Sequence, residues 1–105
     1  MILRYPNFVK IFEMSPRDGL QNEAVIIDTD QKHQLIQRLV QAGLQHIEVS
    51  SFVNPQKVPQ LSDADSLIPL VLNNSSQLQS PRVNYCALVP NQKGLARALT
   101  SGIKH

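Results

Sequence analysis

The sequence is poor in residue types on which several common functions depend. Tryptophan is absent, cysteine occurs once, and aromatic residues make up 5% of the chain. So few aromatic side chains exclude a platform on which nucleic-acid bases stack. The one cysteine, Cys86, has no second cysteine in the sequence with which to form a disulfide. We therefore expect a reducing, cytoplasmic setting.

Long apolar runs and an excess of one charge are also missing. No apolar stretch reaches membrane-spanning length, and none follows Met1 as in a secretion signal, so we expect no membrane partner. Ten basic and eight acidic residues give a net charge of +2 without a basic stripe, so we expect no nucleic-acid partner. With 105 residues, 42% of them hydrophobic, the chain suits one small domain.

The octapeptide at residues 16–23 places a cation and a carboxylate side by side directly after a predicted strand, residues 8–14. Pro16 cannot continue a strand ladder and Gly19 permits a tight turn, so the pattern predicts Arg17 and Asp18 at an exposed corner. A polar turn with a surface ion pair is the alternative interpretation of the same residues.

A second carboxylate lies within the next predicted strand, residues 46–52. Alternation places Ile47, Val49 and Ser51 on one face and Glu48, Ser50 and Phe52 on the other. Burial of Glu48 without a partner would be costly, so we expect it to meet a cation or a metal-bound water. An ion pair that only orders the strand is the alternative.

The segment between these two strands predicts a helix over residues 30–42. Its apolar positions recur at helical spacing. They are Leu35, Ile36, Leu39 and Val40. Asp28 or Thr29 is expected to cap the start of this helix, and Gly43 to end it.

Two further helices are expected later in the chain. The second should begin with Pro59 in its first position, and Pro69 predicts a kink or break near residues 65–69. Residues 73–81 are polar and predict a surface loop. The third helix should span residues 92–101 and end at Gly102. Its expected inward residues are Leu95, Ala98 and Leu99.

The third predicted strand covers residues 82–89, where Cys86 is expected to be a small core residue. Predicted strand starts near residues 9, 46 and 83 are each 37 residues apart. Regular spacing of this kind favours successive βα units in a barrel or an open parallel sheet. Residues 103–105 resemble the start of a fourth strand.

Two stretches together resemble the 3-hydroxy-3-methylglutaryl-CoA lyase family. They are residues 16–23 and residues 47–60, and the similarity continues through residues 88–95 over essentially the whole chain. The family fold is a (β/α)8 barrel, which takes roughly 250 residues. The resemblance therefore implies that residues 1–105 form a partial barrel domain, the N-terminal three βα units of an α/β barrel, truncated near the start of strand 4.

The resemblance also implies a chemistry, the metal-dependent retro-Claisen cleavage of 3-hydroxy-3-methylglutaryl-CoA to acetyl-CoA and acetoacetate. It assigns catalytic roles to Arg17 and Glu48, and substrate contacts to Arg17, Gln21 and Ser51. Asp18 matches the family's aspartate ligand for a divalent metal, Mg²⁺ or Mn²⁺. An acyl-CoA is the implied substrate.

Several of the family's functional residues have no counterpart in this sequence. They are two histidines separated by one residue, a later asparagine and a cysteine in a glycine-rich loop; His33, His46 and His105 lie at unrelated positions. We therefore expect the chain alone to be inactive, and to form homo-oligomers or self-associate through open sheet edges. The alternatives are an enzyme of the isopropylmalate or homocitrate synthase type and a non-catalytic partner-binding module.

Overall fold

The computed structural model describes residues 4–75 and 82–105. Along the chain the elements alternate between strand and helix. They are β1 (Phe12–Glu13), a π-helical turn (Ser15–Gly19), α1 (Thr29–Gln41), β2 (His46–Ser51), a 3-10 turn (Pro59–Leu61), α2 (Ala64–Ser75), β3 (Asn84–Leu88) and α3 (Gln92–Ser101). A helix follows each strand, as the spacing of the predicted strands requires.

The three strands form one parallel sheet in the order β1-β2-β3. Phe12 pairs with His46 between β1 and β2, and Glu48 pairs with Cys86 between β2 and β3. Because β2 is the central strand, both of its edges are hydrogen-bonded, and four of its six residues are buried: Ile47, Val49, Ser50 and Ser51. The prediction of parallel βα units is confirmed.

Apolar side chains from β2, β3 and the helices form one core. Its members are Ile36, Ile47, Val49, Phe52, Ala64, Leu67, Ile68, Val71, Tyr85 and Ala98. The register of β2 shifts between Glu48 and Ser50. This irregularity interrupts the predicted strict alternation, so Ser50, Ser51 and Phe52 are all buried in succession.

The predicted boundaries of α1 and α3 agree with the structure to within one residue, because their caps are local. Asp28 Oδ1 accepts a hydrogen bond from Gln31 N at 2.8 Å, and Asn91 Oδ1 accepts one from Gly94 N at 2.8 Å. Gly43 and Gly102 follow the helix ends with φ values of 98° and 87°. Such left-handed positions favour glycine, as predicted.

The prediction of a strand over residues 8–14 is wrong in extent. Only Phe12–Glu13 pair with β2, while Phe8, Val9 and Ile11 are exposed. Since β1 has one neighbouring strand, nothing among the described residues covers the other side of this segment. The third strand is also shorter than predicted, at Asn84–Leu88.

The second helix differs from its prediction at both ends. Pro59 begins a separate 3-10 turn, and α2 starts at Ala64. The helix continues through Pro69, so the predicted break does not occur, and the alternative of a kink stays a prediction. Pro69 and Asp65 are both exposed, so water can reach the Asp65 carbonyl that loses its helical donor. The loop predicted at residues 73–81 begins later, since α2 extends to Ser75, and its remainder lies outside the described residues.

Two predictions at the C-terminal end need correction. Ala98 is buried, but Leu95 and Leu99 are exposed, because nothing among the described residues packs on that side of α3. Residues 103–105 form no strand, although Ala87 N donates a hydrogen bond to the His105 carbonyl at 3.1 Å. Within the described ranges, no helix has the length and apolar character needed to span a membrane.

Candidate active site at the end of the first strand

The π-helical turn Ser15–Gly19 places the charged residues directly after β1. The Met14 carbonyl accepts hydrogen bonds from the amides of Arg17, Asp18 and Gly19 at 3.2, 2.7 and 3.3 Å. Pro16 has no amide to contribute and is buried. A Cβ atom at Gly19 would lie 3.2 Å from the Cβ of Ser15, so this tight turn favours glycine because of space.

Arg17 lies against β2 and is not at an exposed corner, which corrects the prediction. Its Nε donates to Glu48 Oε1, and the two side chains are 13% and 16% exposed. The Arg17 Nη1 donates to Asp18 Oδ1 at 3.3 Å and to Gln21 Oε1 at 3.4 Å. Within the described part of the chain, Nη2 has no hydrogen-bond partner. The guanidinium is therefore fixed by its Nε and Nη1 contacts and has N–H donors available for a further partner.

Glu48 meets a cation, as its position in a strand predicted. Its backbone neighbour on β3 is Cys86, whose Sγ approaches the Ile47 carbonyl at 3.6 Å. Burial, and to a lesser degree the negative charge of Glu48, raise the pKa of Cys86. A raised thiol pKa disfavours the nucleophilic thiolate, which agrees with a packing role for this free cysteine.

Ser51 does not join the hydrogen bonds around Arg17. Its Oγ and that of Ser50 are buried, and neither has a hydrogen-bond partner among the described residues. The structure thus brings together four of the five predicted site residues, Arg17, Asp18, Gln21 and Glu48. Ser51 lies on the same strand as Glu48, with its hydroxyl uncommitted.

The fit to a divalent metal depends on Asp18. Its side chain is 66% exposed, so its carboxylate is available as one hard oxygen ligand. No cluster of three or more His, Cys, Asp or Glu side chains suited to a metal occurs within the described ranges. His46 is engaged with the Phe12 ring at 4.9 Å and with Asn84 at 3.3 Å. The described residues thus offer one metal ligand and do not enclose an ion.

Sequence reasoning missed two polar clusters, a buried one around Lys32 and a half-exposed one around Arg97. Lys32 is 1% exposed and its Nζ donates to the Gln60 carbonyl and, at 2.7 Å, to Asp63 Oδ1. Lys32 precedes the buried Ile36 by four residues, so helical spacing would have placed it on the inward face of α1.

The second cluster centres on Arg97 of α3. Its guanidinium bonds both carboxylate oxygens of Asp65, donates to the Val53 carbonyl at 3.2 Å, and stacks 5.3 Å from the Phe52 ring. It forms one wall of a cavity of about 490 Å³ beyond the end of β2. The other lining residues include Asn54, Gln56, Asn91 and Lys93.

A parallel sheet with a helix after each strand, and charged side chains beyond a strand's carboxyl end, is the arrangement of α/β enzymes. The chain matches the HMGL-like family over residues 8–105 and belongs to it. It is therefore a member of the 3-hydroxy-3-methylglutaryl-CoA lyase-like family, as the two motifs predicted.

Individual relatives agree with this membership. The chain is 39% identical to the (R)-citramalyl-CoA lyase of Chloroflexus aurantiacus, over 92% of this chain and 32% of the relative. A crystal structure of the Bacillus subtilis HMG-CoA lyase matches with a TM-score of 0.81 and 44% identity, over 96% of this chain and 32% of that one.

A further structure shows a relative with bound ligands. It is an HMG-CoA lyase from Acinetobacter baumannii in complex with coenzyme A and 3-methylmalate, with a TM-score of 0.79 and 33% identity, over 95% of this chain and 31% of that chain. The chain thus spans about a third of the length of the proteins it matches.

Proposed function

We propose that this chain forms the first three βα units of a (β/α)8 lyase that cleaves 3-hydroxy-3-methylglutaryl-CoA to acetyl-CoA and acetoacetate. The observation that carries the proposal is the Arg17–Glu48 pair, which fixes a guanidinium beyond the end of β1 while leaving Nη2 without a partner among residues 4–75 and 82–105. The lyase names of the matched proteins support the reaction class.

The chemistry requires positive charge where an enolate develops. A general base takes the proton of the 3-hydroxyl, and C3 becomes the ketone carbon of acetoacetate. The electron pair of the broken C2–C3 bond forms the enolate, with its negative charge on the thioester oxygen. A fixed guanidinium stabilises that oxygen without reorganising, and such a donor is typically worth about 3–4 kcal/mol of barrier. We assign this role to Arg17, with Glu48 holding its Nε and Gln21 lying beside its Nη1.

We assign Asp18 as one ligand of a divalent ion, Mg²⁺ or Mn²⁺. Its exposed carboxylate adjoins the guanidinium through Nη1 at 3.3 Å. A bound ion of this kind would supply a Lewis acid for the substrate oxygens. Further ligands would have to come from residues that this sequence does not contain, so the 105 residues alone should release no acetoacetate from substrate and Mg²⁺.

The expected substrate is an acyl-CoA. Two features lie at the carboxyl ends of the strands, where barrel enzymes bind their substrates. They are the cavity lined by Lys93 and Arg97 and the buried hydroxyl of Ser51, which has no hydrogen-bond partner among the residues that the structure describes. The coenzyme A in the Acinetobacter baumannii relative supports this class of ligand. The cytoplasmic location expected from the lone cysteine stays a prediction.

The test is a graft. Residues 1–105 replace the matching N-terminal segment of the Bacillus subtilis HMG-CoA lyase, and acetoacetate formation is measured with Mg²⁺ present. A misplacement of the reacting groups by an ångström can lower turnover about a hundredfold. We expect the graft to place Arg17 more accurately than that, and therefore to retain turnover within about tenfold of the parent enzyme. A folded graft that binds Mg²⁺ and produces no acetoacetate would contradict the proposal, as would turnover by the 105 residues alone.

A second substrate deserves the same assay because of the Chloroflexus aurantiacus relative, which is named an (R)-citramalyl-CoA lyase. Both substrates present a tertiary hydroxyl for the same bond cleavage, so the Arg17–Glu48 pair serves either. Comparing kcat/KM for the two in the graft assigns the substrate preference. A lack of cleavage with both would leave the synthase-type enzyme and the partner-binding module as the explanations to test.

A further inference from the structure

The side-chain amide of Gln60 is buried and fully used in hydrogen bonds. Gln60 lies in the 3-10 turn Pro59–Leu61 and is 3% exposed. Its Nε2 donates to the carbonyls of Val25 at 2.7 Å and Glu23 at 3.3 Å, and its Oε1 accepts from the Ile27 amide at 2.8 Å. One side chain thus satisfies three backbone groups of another loop.

The turn that carries Gln60 is itself anchored to α1. Lys32 Nζ donates to the Gln60 carbonyl and to Asp63 Oδ1, and Thr29 Oγ1 donates to Asp63 Oδ2 at 2.7 Å. Because Lys32 is buried and paired with a carboxylate, leaving this position would break a charge-assisted hydrogen bond. The backbone at Gln60 is therefore a fixed point from which its amide reaches the loop.

The loop that Gln60 holds connects the site to α1. It comprises residues 22–28 and starts one residue after Gln21, which contacts the Arg17 guanidinium. Its apolar side chains Val25 and Ile26 are exposed and contribute no core packing, while Ile27 is half-buried. The hydrogen bonds of Gln60 therefore attach a loop whose apolar side chains are mostly exposed.

We propose that Gln60 is a positioning residue that ties the loop after β1 to the loop after β2, so that Arg17 and Gln21 keep a fixed place relative to Glu48. The assignment to catalysis rests on the proposed lyase function. The attachment itself does not, since it follows from hydrogen bonds that are independent of any substrate. Loss of the amide should free the loop selectively while the sheet stays intact.

The test compares Gln60→Met, which keeps similar volume and removes the amide, with Gln56→Met as a matched control at an exposed glutamine of the same connection. Hydrogen exchange of the 105-residue chain is followed by mass spectrometry in peptides covering residues 22–28 and 46–51. We expect protection at Ile27 and its neighbours to fall about tenfold in Q60M, as the loss of about one hydrogen bond predicts. Peptides of β2, and every peptide of Q56M, should keep their protection.

Uniform loss of protection across the chain, or no loss at residues 22–28, would overturn the inference, because a buried amide that only adds stability acts on the whole fold. If Q60M does not fold, Gln60→Glu decides the question at a pH where the new carboxylate is ionised: it retains the acceptor for Ile27 and the volume, and removes the donors to the Val25 and Glu23 carbonyls. Selective exposure of residues 22–28 is again required.

The graft adds a kinetic readout that simple destabilisation does not produce. Q60M in the graft should lower kcat by about 10- to 100-fold, as a small misplacement of Arg17 predicts, with KM changed less than kcat. Unchanged kcat in an active graft would overturn the positioning role even with selective exchange. If the unsubstituted graft has no activity, the proposed lyase function is contradicted. The hydrogen-exchange measurement then still tests whether Gln60 attaches the loop, independently of that function.

Discussion

The guanidinium of Arg17 uses some of its N–H groups in contacts within the protein and leaves others available. Its Nε is occupied by Glu48 and its Nη1 by Asp18 and Gln21, while Nη2 has no partner in the described part of the chain. A lysine would offer one point charge in place of this planar fork. An arginine at this position can therefore be anchored by Glu48 and still offer a donor to the proposed substrate.

The first prediction concerns this fork. Arg17→Lys in the graft should lower kcat by about 10²–10³, because the ammonium cannot keep the Glu48 contact and also reach the enolate oxygen. Arg38→Lys, at an exposed position on α1, is the matched control and should change kcat little. Steady-state kinetics with 3-hydroxy-3-methylglutaryl-CoA measures both. Equal effects of the two substitutions would argue against a role for the Arg17 fork.

The second prediction uses Cys86 to report the charge of Glu48. The pKa of Cys86 is raised first by burial and then by the Glu48 carboxylate. Glu48→Gln removes that negative charge, so the pKa should fall and thiolate should form at lower pH. The midpoint of the pH dependence of alkylation should therefore move down in E48Q.

The control for this titration is Glu23→Gln, at an exposed carboxylate, which should leave the midpoint in place. The midpoint of the pH dependence reports the charge near the thiol. A change in access to the thiol would instead alter the limiting rate of alkylation at high pH, so the two effects can be separated. An unchanged or higher midpoint in E48Q would show that Glu48 does not face Cys86 as the strand register requires.

At the scale of secondary-structure elements, α3 approaches the end of β2 unusually closely at Gly94. A Cβ atom there would lie 2.5 Å from the Phe52 carbonyl oxygen, and backbone offers little room to move. The Asn91 cap and the Arg97 contacts with Val53 and Asp65 fix the same region. The position of the loop after β2 thus depends on a glycine inside a helix.

The third prediction follows from this approach. Gly94→Ala should destabilise the fold by about 2 kcal/mol, as overpacking does, although alanine has the higher helix propensity. Gly43→Ala is the comparison: apart from its two chain neighbours, no described residue has an atom within 4 Å of its Cβ position, so only its φ of 98° opposes the substitution, at about 1 kcal/mol. Urea denaturation measures both. An increase in stability for G94A would contradict the packing argument.

At the scale of the whole molecule, apolar surface is left uncovered at both sides of the sheet. Val9 and Ile11 precede β1, and Leu95 and Leu99 project from α3; all four are exposed. In a closed barrel such positions would pack against neighbouring strands and helices. A chain of this length cannot cover them by itself, so they should drive association.

The fourth prediction is that the 105-residue chain associates in a concentration-dependent way through its open edge. Ile11→Lys, which places a charge beside β1, should shift sedimentation toward the monomer, since lysine at a strand edge opposes pairing. Gln34→Lys adds the same charge on the exposed side of α1 and should leave association unchanged. A parent chain that remains monomeric at all concentrations would contradict this prediction.

The sequence by itself determined the order of the βα units, the limits of α1 and α3, and the need of Glu48 for a cation. These features depend on local chemistry: capping side chains, glycines at positive φ, and the cost of an unpaired carboxylate in a strand. The two motifs also identified the family. Each can be derived from residues close together in the chain.

Only the tertiary structure decided which cation meets Glu48, how short β1 is, and how Gln60 and Lys32 are used. Arg17 and Glu48 are 31 residues apart, Lys32 and Asp63 are also 31 apart, and Gln60 reaches back 35 residues to Val25. Local propensity carries no information about such pairs, because their energy arises when packing excludes water from polar groups of distant segments. These contacts could not be predicted from the sequence because polar groups of distant segments become buried together only when the chain folds.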